Sequence, residues 1–178
     1  MALGCTAVLA LLVIAAAGLV FAGRFFESGA DTGETLLGDR EAYAKGSAEY
    51  IKERNFYLVR LGDGAYLALS DLDAANRANT QRRCRVAPID AADPALPALI
   101  ARYGAVMSPP ASGSTLLLRE DCNGVLYDVA GARLDREGPN LDRFPVRIGE
   151  DRRLRVDLSK RICTARAGAD PFATTSCR

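Results

Sequence analysis

Histidine is absent from all 178 residues. Its absence excludes imidazole-ligated metal or haem and any catalytic centre built on a histidine base. Tryptophan is absent as well. No C-x-x-C or C-x-x-C-H run occurs, so the chain has neither a dithiol redox motif nor a covalent haem attachment site. Residues 2–23 carry no charged side chain, and the net charge of the whole chain is only +1. So even a balance gives no electrostatic reason for a nucleic-acid partner. No nucleophile paired with a base is visible, which argues against an enzyme.

What is present divides in two. Ala2 to Gly23 reads ALGCTAVLALLVIAAAGLVFAG. At about 1.5 Å per residue this stretch measures roughly 33 Å, enough to cross a bilayer core, and it is read as a single transmembrane anchor over residues 1–23. A cleaved signal peptide is the rival. It would have a basic start and a shorter apolar region, whereas the first charge here is Arg24 and Val20-Phe21-Ala22 is only a passable cleavage site. Cys5 precedes the apolar run, which argues against a lipoprotein. Gly4, Ala7, Ala15 and Gly18 are small enough for a neighbouring helix to pack closely.

The remainder, about 150 residues, has the length of one ordinary domain. It holds Cys84, Cys122, Cys163 and Cys177. Four cysteines allow three pairings, and an even number behind an anchor favours an oxidising compartment. That places the C-terminal domain on the extracytoplasmic side, periplasmic or outer. Arg24 votes the other way, but one flanking arginine is a weaker signal than four cysteines. Cys163 and Cys177 flank a C-terminal tail over residues 159–178. A second disulfide tying that tail down is the leading reading, and a bridge to another subunit is the alternative.

Residues 24–55 are acidic and glycine-containing and read as a tether, with a short helix over Glu41–Ile51. From Phe56 the pattern changes. Phe56–Leu61, Gly62-Asp63-Gly64 and Ala65–Leu69 spell a β-hairpin with a glycine turn. Residues 87–114 contain Pro88, Pro94, Pro97, Pro109 and Pro110 and read as an insertion with a short helix over Ala95–Tyr103. Strands follow at Thr115–Leu118, Val125–Val129, Ala132–Leu134, Phe144–Ile148 and Leu154–Val156. Short strands between turn signals make a mainly β, antiparallel domain.

The Phe56–Leu69 hairpin and two loop motifs after it, taken in order over residues 56–158, resemble a Rieske iron–sulfur domain, in which such a hairpin precedes the first cluster loop. Asn79-Thr80-Gln81-Arg82-Arg83-Cys84 falls where that family has C-T-H-x-G-C. Glu120-Asp121-Cys122-Asn123-Gly124-Val125, followed by Leu126-Tyr127-Asp128, falls where it has C-P-C-H-G-S and x-[YF]-D. Gly131, Gly138-Pro139 and Arg143-Phe144-Pro145-Val146 continue its G…GP…[RY]-[YF]-P-V pattern. The resemblance implies that Asn79, Gln81, Glu120 and Asn123 occupy the four cluster-ligand positions. A Rieske centre needs two thiolates and two imidazoles, and none of the four residues supplies either. The resemblance therefore implies no iron–sulfur cluster and no other cofactor. The two non-ligand cysteines are kept as Cys84 and Cys122, which in the family bridge the two cluster loops, so a Cys84–Cys122 disulfide is implied.

The bland reading of the four positions is side chains that hydrogen-bond the loops where the cluster once lay. A hard-cation site is the sharper one, but it has few carboxylates. Arg82, Arg83 and Arg85 around Cys84 are read as a solvated charged loop, with docking on an acidic partner as the alternative. Tyr66 and Tyr127 are read as core or hydrogen-bonded tyrosines. The functional expectation is a non-redox, Rieske-like accessory subunit of a membrane electron-transfer complex: a cytochrome bc-type complex, a terminal oxidase or a supercomplex of the two. Its partners would be integral membrane subunits, a cytochrome among them. The alternative is a membrane-anchored assembly factor or partner-binding module not retained in the mature complex.

Overall fold

The computed structural model describes residues 33–77, 84–164 and 173–177. The apolar stretch over residues 2–23 lies outside them. Among the described residues no helix is long and apolar enough to cross a membrane.

The central sheet has strand order β2-β3-β4-β8, formed by Ser47–Ile51, Phe56–Arg60, Tyr66–Ser70 and Arg143–Phe144, all antiparallel. Strand β3 explains why this sheet lies inside. Side chains alternate faces along a strand, so a run that is apolar at every position needs cover on both sides. Phe56, Tyr57, Leu58 and Val59 are all buried. Phe56 and Leu58 join Leu37, Ala68, Phe144, Leu154 and Val156 in one cluster. Tyr57 and Val59 join Leu69, Val86, Leu118, Tyr127 and Leu141 in another. The first cluster is closed by the sheet β1-β10-β9, over Glu34–Asp39, Arg153–Asp157 and Val146–Ile148. The second is closed by β5-β6-β7, over Val86–Pro88, Leu117–Glu120 and Leu126–Asp128. A short ladder joins β11, Cys163–Thr164, to β12, Thr174–Thr175.

The expected β3–β4 hairpin is present. Leu61 N–H donates to the Ala65 carbonyl at 2.8 Å, Asp63 accepts from Ala65 N–H at 2.9 Å, and Gly64 takes φ +94°. The helix of the insertion, α1, runs over Leu96–Tyr103. Leu96 is buried, and Leu99, Ile100 and Tyr103 pack with it on Ile89, Leu117 and Leu134. The insertion thus covers the outer face of β6.

Three expectations are corrected. Gly33–Ile51 is not tether: Glu34–Asp39 pairs with β10 and Ser47–Ile51 pairs with β3. No α-helix forms over Glu41–Ile51, where a single 3-10 turn at Arg40–Ala42 joins the two strands. Among the described residues, the acidic side chains of these two strands are exposed or in ion pairs, as Glu34 is with Arg147 at 2.9 Å, while Leu37 points into the core. Ala132–Leu134 is not a strand either, and contributes only an isolated bridge between Tyr127 and Arg133. The chain instead turns at Gly131, with φ +81°, where an added Cβ would meet Leu69 Cδ2 at 3.1 Å and Leu141 Cβ at 3.2 Å.

Candidate functional site

The antiparallel register of β5 and β6 pairs Val86 with Glu120, Ala87 with Arg119 and Pro88 with Leu118. Continuing that register two residues past Val86 and Glu120 sets Cys84 opposite Cys122. The two are joined by a disulfide with Cα atoms 5.3 Å apart. Hydrogen bonds independent of sulfur hold the same two segments together. Asp121 N–H donates to the Arg85 carbonyl at 2.9 Å, beside the β5–β6 ladder, while Val86 N–H donates to the Asp71 carbonyl at 2.8 Å and ties the first segment to the chain after β4. The β6–β7 turn closes itself, with Glu120 N–H donating to the Val125 carbonyl at 2.9 Å and Gly124 N–H to the Glu120 carbonyl at 3.0 Å. Gly124 sits at φ +71°, a conformation that favours glycine.

Glu120 is fully buried. One carboxylate oxygen accepts from Cys122 N–H at 3.0 Å and the other from Asn123 N–H at 2.6 Å. A buried charge needs such partners, and backbone N–H groups supply them here. Asn123 itself is exposed. Asn79 and Gln81, with Arg82 and Arg83, lie outside the described residues. Of the four positions equated with cluster ligands, the structure therefore places two, Glu120 inside the turn and Asn123 on its surface. The carboxylate acts as a brace for its own loop.

A tyrosine pair lies beside this tip. The Tyr50 and Tyr57 rings are 4.8 Å apart. Tyr50 Oη is 3.1 Å from both Asn55 Oδ1 and Asp71 Oδ2, and it accepts from Arg85 at 3.4 Å. Burial pushes the Tyr57 hydroxyl up to about 12, with Tyr50 and Asp121 adding to the shift and Arg85 opposing it. Tyr66 donates to the Arg40 carbonyl.

Tyr127 is a core tyrosine, the first of the two readings offered for it. It is fully buried, its hydroxyl meets no partner among the described residues, and burial pushes its pKa well above the ordinary phenol range. An unpartnered buried hydroxyl destabilises, and an apolar group of the same shape removes that penalty. Tyr127→Phe should therefore raise stability by about 1 kcal/mol, read as a higher urea midpoint at constant slope. A loss of that size would mean that the hydroxyl holds a buried water.

Sequence reasoning missed Asp142 and Arg77. Asp142, fully buried, accepts from Arg77 Nε at 2.7 Å and Nη2 at 3.0 Å. Arg161 Nη1 stands 3.7 Å from the same carboxylate. The pair fixes the segment that leads into the first loop of the tip. Nothing in the local sequence signals it, because the partners are 65 residues apart.

No protein-family model and no curated protein matches the chain. Among solved structures it is similar to a protein assigned as the small subunit of an NADH-dependent nitrite reductase from Mycobacterium tuberculosis. The identity is 16% and the TM-score 0.36, over 69% of this chain and 92% of that one.

Proposed function

We propose that this chain is a redox-silent, Rieske-like accessory subunit of a membrane electron-transfer complex, held by its N-terminal apolar segment and carrying no [2Fe–2S] cluster. The observation that supports this reading most is the state of Glu120. It stands at a position where the resemblance requires a thiolate for iron, and it supplies instead a carboxylate that braces its own turn through the Cys122 and Asn123 N–H groups. A chain without histidine supplies no imidazole for the second iron. The residues present do not fit the cluster. What remains is a braced β scaffold that offers surface and shape, and its role is to stabilise integral membrane neighbours, a cytochrome among them. The reading rests on resemblance of motif order and so on analogy from fold.

Two measurements test it. Expressed together with cluster-assembly machinery, the purified chain should contain no stoichiometric iron or acid-labile sulfide and show no reduced-state EPR signal. A stoichiometric [2Fe–2S] signal overturns the reading. Gentle detergent extraction from native membranes should recover the chain in constant ratio to haem-containing subunits. Recovery of the chain alone, with the mature complex intact without it, supports an assembly factor instead.

A further inference from the structure

We propose that Cys84, Cys122 and Glu120 form a redox-gated site for a thiophilic divalent cation such as Zn²⁺, closed by the disulfide and opened by its reduction. The two sulfurs and a Glu120 carboxylate oxygen lie within 4.8 Å of one another. The backbone that carries them is held by more than the S–S bond. The β5–β6 register beside Cys84, the Asp121 N–H to Arg85 carbonyl bond and the closed β6–β7 turn keep the two loops together, so that after reduction the sulfurs separate only by side-chain rotation.

Reduction by a dithiol or a phosphine adds two electrons and two protons across the bond and leaves two thiols. A divalent cation then displaces both thiol protons and binds two thiolates. Glu120 supplies the third ligand. A carboxylate offers about four lone-pair positions, and the N–H groups of Cys122 and Asn123 occupy two of them. Those same bonds orient the carboxylate, as outer partners do in metal sites. Cys122 is exposed and Cys84 half-buried, so the fourth position faces solvent and takes water. Two sulfur ligands select zinc or cobalt over calcium and magnesium, which prefer oxygen donors. The disulfide and the metal exclude each other, since the metal needs two thiolates and the disulfide has none. This inference is independent of the chain's place in any complex.

The full chain in detergent is reduced with a phosphine in the presence of Co²⁺, whose thiolate charge-transfer absorption reports sulfur ligation. The expected result is one cobalt bound per reduced chain, none per oxidised chain, and displacement by Zn²⁺. Cys163→Ser/Cys177→Ser should keep the band, whereas Cys122→Ser should lose it. Glu120→Gln should weaken binding by about tenfold, the scale on which metal-site groups act. Circular dichroism follows folding throughout. The proposal is overturned if the reduced wild type shows no band, if the band survives Cys122→Ser, if Glu120→Gln binds as tightly as wild type, or if the metal-loaded chain is unfolded.

Discussion

Replacing Asp142 by alanine should lower the unfolding free energy by about 3–5 kcal/mol, the range for removing one partner of a buried ion pair. The Asp142 side chain is fully buried, whereas that of Arg77 is 23% exposed. Two parallel N–H donations from Arg77 reach the carboxylate, which is the strong geometry for this pair. Arg161 and the Thr164 N–H, the latter at 3.4 Å, approach it from the C-terminal side. The Asp142 carbonyl also accepts from Ser70 N–H at 2.8 Å. One carboxylate thus joins three stretches of chain that have no local reason to meet. Without it, two guanidinium groups lose their counter-ion in a partly buried place. Arg77→Ala should cost less, because Asp142 keeps Arg161 and the Thr164 N–H. The double variant should cost less than the sum of the two, as contacting partners do. Urea unfolding with an unchanged slope reads these values. A loss below about 1 kcal/mol for Asp142→Ala would place the pair among solvent-screened surface bridges and refute its role as a brace.

The contrast with Phe56–Val59 shows what the sequence makes legible. Four consecutive apolar residues report a strand buried on both faces without knowledge of any partner, and the glycines after them report the hairpin. Glu34–Asp39 and Ser47–Ile51 carry weaker alternation. Their acidic side chains point to solvent or to arginines far along the chain, and this resembles a linker in composition alone. Asp142 is harder still. A buried acid looks like a surface acid until its arginine is found, and the arginine is set by topology. At the tip, motif order pointed to Cys84, Cys122 and Glu120. The bland reading, a side chain that hydrogen-bonds its loop, holds for Glu120, but which N–H groups it takes was not legible, because every residue except proline offers one.

Removing the Cys84–Cys122 bridge as Cys84→Ala/Cys122→Ala should cost more stability than removing Cys163–Cys177 in the same way. The bridges close separations of 38 and 14 residues. In the chain-entropy model the longer loop is worth about 4 kcal/mol and the shorter about 3. The native state gives little reason to modify this order. Cys84 and Cys122 continue a register already fixed by β5 and β6, so the bridge is accommodated without moving the backbone. Cys163 lies in a two-residue ladder with Thr175, close to Cys177. Each variant should shift the urea midpoint without loss of native circular dichroism. Against a typical total of about 5–15 kcal/mol, loss of both bridges leaves a chain near its limit of stability. That is where metal binding at the opened tip would have its largest effect on the folded population, because a cation that binds only the folded form stabilises it by mass action. Zinc should therefore raise the midpoint of the reduced wild type and of reduced Cys163→Ala/Cys177→Ala, and leave reduced Cys84→Ala/Cys122→Ala unmoved. An inverted order, with the shorter loop costing more, would show that the 38-residue loop is already restrained in the unfolded chain.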